Sequence, residues 1–91
     1  MIEHQTILHR SPDVLHSALD NETIMMDIQT GEYHNLNNMG NTIWELLEEP
    51  LSFSDLCKAL LEEYEVSEEV CQQETRHFLK ELVDKKLIST Q

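Results

Sequence analysis

The sequence predicts an α+β domain of winged helix-turn-helix-like build, a three-stranded antiparallel sheet followed by three helices. Residues 1–36 carry β-branched residues, short apolar runs and turn residues, whereas residues 38–86 carry helical spacing and caps, interrupted only by Gly40 and Pro50. Strand and helix signals are thus segregated along the chain, which argues against βαβ units around a parallel sheet. With 91 residues, 40% of them apolar, and only two glycines and two prolines, the chain has the make-up of a single folding domain.

Val14 to Leu19 reads as the first strand, and Asp20-Asn21 as a turn that tolerates left-handed backbone. Glu22 to Ile28 is the second strand. Ile24, Met26 and Ile28 alternate there with Thr23, Met25 and Asp27, the period of two expected when one face of a sheet is buried. Gln29-Thr30-Gly31 closes a hairpin in which Gly31 supplies a positive φ, and Glu32 to Leu36 returns as the third strand. Residues 1–13 add a run from Gln5 to His9 with the make-up of an extra strand or arm. Ser11-Pro12-Asp13 sets that run apart, and the sequence does not name its pairing partner.

Asn37 or Asn38 caps a helix through Glu48, with Met39, Ile43, Leu46 and Leu47 on one stripe and Trp44 at its flank; Glu49-Pro50 ends it. Ser52-Phe53-Ser54-Asp55 has capping-box spacing, and Phe53, Leu56, Cys57, Leu60, Leu61 and Tyr64 follow at helical steps. Ser67 caps the third helix, with Glu68 and Glu69 in its first turn and Lys85 and Lys86 in its last. Its apolar face holds Val70, Cys71, Thr75, Phe78, Leu79, Leu82 and Val83, and Leu87-Ile88 continues as a short extended tail.

Six Lys plus Arg against eighteen Asp plus Glu give a net charge of −12, a field that repels phosphate backbones and anionic lipid and attracts a neutral or basic partner. Nucleic acid and membrane are therefore not expected as partners. The N-terminus lacks the pattern of a signal peptide, no run is long enough to span a bilayer, and the cytosol is the expected compartment. Cys57 and Cys71 read as small buried hydrophobes in a reducing environment. No glycine-rich phosphate loop, GxSxG elbow or HExxH occurs, and the five histidines are scattered, so neither catalysis nor a cofactor nor a metal is expected.

A winged-helix DNA reader shares this order of elements, but its recognition helix would carry Glu68, Glu69, Glu74, Glu81 and Asp84 against Arg76, Lys80, Lys85 and Lys86. The acidic run from Glu62 to Glu74 has two readings: a docking face for a basic partner, or a solvated helix start whose acids suit the macrodipole.

From Thr23 to Ile88 the chain resembles the PqqD-like family. The resemblance is carried by Met25-Met26-Asp27, the Thr30-Gly31 turn, Tyr33-His34-Asn35-Leu36-Asn37, Ile43-Trp44-Glu45-Leu46-Leu47, and Phe78-Leu79 followed by Leu82 and Leu87-Ile88. It departs from the family pattern at Lys86, where Gly is usual, and at Thr75, where an apolar residue is frequent. Members of the family are peptide recognition elements that grip the leader of a ribosomally made precursor peptide and present it to a modifying or processing enzyme.

The resemblance implies a non-catalytic module, most similar to the leader-binding proteins of lasso-peptide clusters, that delivers its cargo to a leader peptidase. Service to a radical-SAM peptide-modifying enzyme is the alternative among binding modules, and a winged-helix DNA-binding regulator is the alternative from a different class. The leader is expected to add as an antiparallel strand to the third strand, along Glu32, Tyr33, His34, Asn35 and Leu36. It is expected to fill a groove whose pocket is assigned to Tyr33 and Leu36 on the strand and to Val70, Cys71, Glu74, Thr75 and Phe78 on the third helix. Exposed strand edges and a separate N-terminal segment also leave a strand-exchanged homodimer open.

Overall fold

The computed structural model describes residues 2–12, 14–19 and 22–91, and the side chains of Ala18, Leu19, Asn37 and Asn38 also lie outside the description. The Asp20-Asn21 turn therefore falls outside the described residues, and the cap expected at Asn37 or Asn38 rests on side chains outside the description. Among the described residues the elements follow in the order β1 (Ile7–Arg10), β2 (Val14–Leu19), β3 (Glu22–Asp27), β4 (Tyr33–Asn37), α1 (Asn38–Leu46), β5 (Leu51–Ser52), α2 (Phe53–Glu63), α3 (Glu68–Asp84) and β6 (Ile88–Thr90).

The predicted meander is present: β2, β3 and β4 pair antiparallel in that order, with Leu15 opposite Met26 and Met26 opposite Tyr33. At the β3–β4 hairpin, Asp27 accepts from the Gly31 N–H through its backbone carbonyl and donates its own N–H to Glu32. Gly31 has φ 74°, a left-handed conformation that a Cβ would strain.

A second sheet gathers the pieces with the weakest local signals. β1 is its centre, flanked by β5 (Ile7 opposite Ser52) and β6 (Arg10 opposite Ile88). The N-terminal run is thus a strand with both edges filled by its own chain, and the tail after α3 is its partner. Ile2 anchors the segment before it: its side chain is buried, and its carbonyl accepts from Arg76 Nε at 3.0 Å.

Ser52 caps α2, accepting from the Asp55 N–H at 3.1 Å, and Ser67 caps α3, accepting from the Val70 N–H at 3.2 Å. α3 ends at Asp84, earlier than the lysines expected in its last turn. The Lys86 N–H bonds to the Val83 carbonyl and the Leu87 N–H to the Leu82 carbonyl, both at 2.9 Å. That is a Schellman ending, completed by the burial of Leu82 and Leu87 together. Its left-handed position falls to Lys86, at φ 61°.

The core runs between the inner face of the meander and the helices, with Met25, Ile43, Trp44, Leu47, Phe53, Leu56, Leu60 and Leu79 nearly sealed from solvent. Trp44 belongs to that core and not to a flank. Its buried indole Nε1 finds no acceptor among the described residues. The Arg10 guanidinium stacks 4.6 Å from the indole centroid and donates to the Trp44 carbonyl, and burial holds its pKa below the usual value.

In β3 it is Thr23 and Met25 that face inward, while Ile24 and Met26 lie on the half-exposed outer face. The buried Thr23 hydroxyl is satisfied by donating to Asn41 Oδ1 on α1. This bond fastens the sheet to the helix that follows β4.

Candidate functional site

Among the described residues β4 pairs with β3 on one side only. Because Asp27 donates its N–H to Glu32, the pair Asp27–Glu32 is hydrogen-bonded, and such pairs alternate along an antiparallel ladder. The next hydrogen-bonded pairs are Met25–His34 and Thr23–Leu36, whose backbone groups point inward to the ladder. Tyr33 and Asn35 belong to the other set, so their N–H and C=O groups point away from β3, along the free side of β4. A strand edge of this kind is a template for another extended chain.

The same period of two divides the side chains. Leu36 and His34 lie on the inner face, Leu36 buried and His34 half-buried beside Glu32, with Nε2 3.8 Å from Oε2. Tyr33 and Asn35 lie on the outer face, where Tyr33, 73% exposed, stands opposite Met26 in a row with Leu15. A shallow depression of about 230 Å³ runs across that face, lined by Leu15, Ser17, Ile24, Met26 and Tyr33 among others. The pocket expected to hold Tyr33 and Leu36 together is therefore split: residues three apart on a strand cannot share a face. Each stands on one side of the edge where an added strand would place its alternate side chains.

The third helix divides in a comparable way. Cys71 and Thr75 are fully buried, with Cys71 Sγ 3.9 Å from Thr75 Oγ1, and they point into the core rather than into the groove where they were expected. Thr75 takes the place of an apolar side chain because its hydroxyl finds this neighbour one turn away. The Cys57 thiol lies against Cys71, and burial pushes its pKa up to about 12. Val70, Glu74 and Phe78, each one turn from the next, form the stripe beside that core face: Val70 is 42% exposed, Glu74 exposed and Phe78 half-buried.

Phe78 brings the helix to the strand. Its ring lies over Gly40 in the first turn of α1, beside Leu36: a Cβ placed on Gly40 would meet Phe78 Cζ at 3.0 Å and Leu36 Cβ at 3.8 Å. Gly40 is the position where α3 approaches the end of β4, and composition alone passes over it. The available signal was a glycine inside a helical stretch, which marks a close approach. Among the described residues no three His, Cys, Asp or Glu side chains converge as metal ligands, and no helix is long and apolar enough to cross a membrane.

The fold and the site together define a small α+β recognition domain whose meander keeps one edge open beside a helix. The family model for coenzyme PQQ synthesis protein D (PqqD) matches residues 22–88, and the chain belongs to that family. Among solved structures it is similar to TbiB1 in complex with the TbiA(beta) leader peptide, with 32% identity and a TM-score of 0.85 over 89% of this chain and 94% of that one. It also shares the fold of a lasso peptide synthetase B1 complexed with the leader peptide, at 22% identity and a TM-score of 0.80 over 90% and 96% of the two chains. No curated protein sequence matches the chain.

Proposed function

We propose that this protein is a non-catalytic, cytosolic module that binds the leader of a ribosomally synthesised precursor peptide and delivers it to a leader peptidase in lasso-peptide biosynthesis. The observation that carries the reading is the free edge of β4 beside the Val70–Glu74–Phe78 stripe, in a chain similar to TbiB1, whose structure is a complex with a leader peptide. The leader adds antiparallel to β4 and bonds to the N–H and C=O groups of Tyr33 and Asn35. Its inward side chains enter the groove toward Leu36 and Phe78, and its outward ones pass over Tyr33.

Energetics decide what each part contributes. A backbone hydrogen bond contributes about 0.5–1.5 kcal/mol net, while fixing a flexible residue costs about 1–2 kcal/mol. The ladder alone cannot hold a disordered leader. Burial of one Leu- or Phe-sized anchor adds about 1.5–3 kcal/mol, and the exposed apolar surface of Val70 and Phe78 provides for it. The backbone therefore sets register and direction, and the groove sets affinity. Delivery needs a second contact, with the peptidase, that raises the local concentration of the cleavage site.

The direct test measures binding of the fluorescently labelled leader of its precursor by anisotropy, together with the rate of leader removal by the peptidase. Phe78→Ala should weaken binding and slow leader removal at limiting protein. Processing that is unchanged in that variant would remove the delivery role.

A further inference from the structure

No Lys or Arg occurs on β4 or at the Val70, Glu74 and Phe78 positions of α3. The six Lys and Arg residues are Arg10, Lys58, Arg76, Lys80, Lys85 and Lys86. None occurs from Ser11 to Cys57, a span that holds the whole meander and α1, and none occurs from Ala59 to Thr75, which includes the first half of α3. Arg10 is held against Trp44, and Arg76 is held by the Ile2 carbonyl and by the Phe53 ring, 4.7 Å from its guanidinium carbon. Arg76 and Lys80 line a cavity of about 470 Å³ with Ile2, Val83 and Asp84, on the flank of α3 opposite the Val70–Glu74–Phe78 stripe. The groove side presents Glu32 just before β4, 3.8 Å from His34 Nε2, and Glu74 midway along the stripe, both carboxylates exposed.

Spacing turns this charge distribution into a pattern. Alternate residues of a strand are about 6.7 Å apart, and residues four apart on a helix rise about 6 Å. A strand lying along α3 can therefore set three successive inward side chains against Val70, Glu74 and Phe78. The outer two meet apolar surface. The middle one meets a carboxylate whose neighbours one turn away on the helix, Val70, Cys71, His77 and Phe78, include no Lys or Arg, and an acidic residue there would be repelled at short range.

We infer that the bound segment of the leader reads apolar, Lys or Arg, apolar at alternate positions, and that Glu74 selects the central cation. The inference rests on the strand-addition reading proposed above and adds the chemistry of the ligand to it. It also gives the acidic start of α3 a role beyond the helix macrodipole, which the exposed Glu68 and Glu69 already satisfy.

An mRNA-displayed library of randomised 20-residue peptides, selected separately on the wild-type protein, Glu74→Lys and Lys80→Glu, tests it. Wild type should enrich peptides with Lys or Arg flanked two residues away on each side by apolar residues. Glu74→Lys should keep the apolar flanks and replace the central residue by Asp or Glu, whereas Lys80→Glu, on the far flank, should select as wild type does. A wild-type consensus peptide should bind Glu74→Lys about tenfold more weakly in low salt, with the gap closing as salt rises. Apolar flanks with a central residue indifferent to charge, and the same in Glu74→Lys, would overturn selection by Glu74 while leaving strand addition in place. No enrichment on the folded wild type would overturn both.

Discussion

The Phe78 ring lies against the backbone of Gly40, its Cζ at 3.0 Å from where a Gly40 Cβ would stand. This contact brings α3 onto the first turn of α1 close to Leu36 at the end of β4. A glycine placed inside a helix costs about 0.5–1 kcal/mol relative to Ala, so its presence here is explained by the close approach it permits. Gly40→Val should push the Phe78 ring outward and weaken leader binding by more than about tenfold. Circular dichroism would show the fold retained, and anisotropy would show the loss.

Phe78→Ala and Tyr33→Ala should separate the two faces of the bound strand. Phe78→Ala removes an anchor surface worth about 1.5–3 kcal/mol, or about 10- to 100-fold in Kd. Tyr33→Ala, at a side chain 73% exposed on the other face, should cost less binding and leave thermal stability unchanged. Calorimetric titration of both variants with the leader checks the order.

Lys86 occupies the left-handed position of the Schellman ending at φ 61°. Lys86→Gly should raise stability by about 1 kcal/mol, because an L side chain is strained in that conformation and glycine is not. For a domain of this size that is a rise of about 4–8 °C in Tm, readable by thermal melt. Leader affinity should not change.

Thr23→Val keeps the side-chain shape and leaves buried Asn41 Oδ1 without its donor. The expected loss is about 1–3 kcal/mol, measured by urea unfolding.

Cys57 gives a pH signature. Its folded pKa is raised from 9.0 to about 12 by burial first and by Cys71 next. Below about pH 9 both folded and unfolded thiols are protonated and the contribution is fully present. Between about pH 9 and 12 the unfolded chain releases a proton that the fold retains, so stability falls as pH rises. Urea midpoints should decline across that window and decline less in Cys57→Ala, and the native thiol should resist a disulfide reagent at pH 8.

Local signals were legible in the sequence, and non-local ones were not. The caps at Ser52 and Ser67, the positive φ at Gly31 and the bounds of β2 follow from residue chemistry within four positions. The second sheet did not, because β1, β5 and β6 are two to four residues long and pair across most of the chain. The buried face of β3 ran against hydrophobicity: Thr23 goes inward because Asn41, distant in sequence, receives its hydroxyl. The residues assigned to the groove do not share one surface. The period of two separates Tyr33 from Leu36, and the helical period separates Cys71 and Thr75 from Val70, Glu74 and Phe78.

The most direct measurement is amide hydrogen exchange along β4, by NMR, with and without the leader. In the free protein the N–H groups of His34 and Leu36 should be protected and those of Tyr33 and Asn35 should exchange fast. With the leader bound, Tyr33 and Asn35 should slow by about tenfold or more while His34 and Leu36 change little. A leader that binds yet leaves Tyr33 and Asn35 exchanging as fast as before would contradict strand addition at this edge.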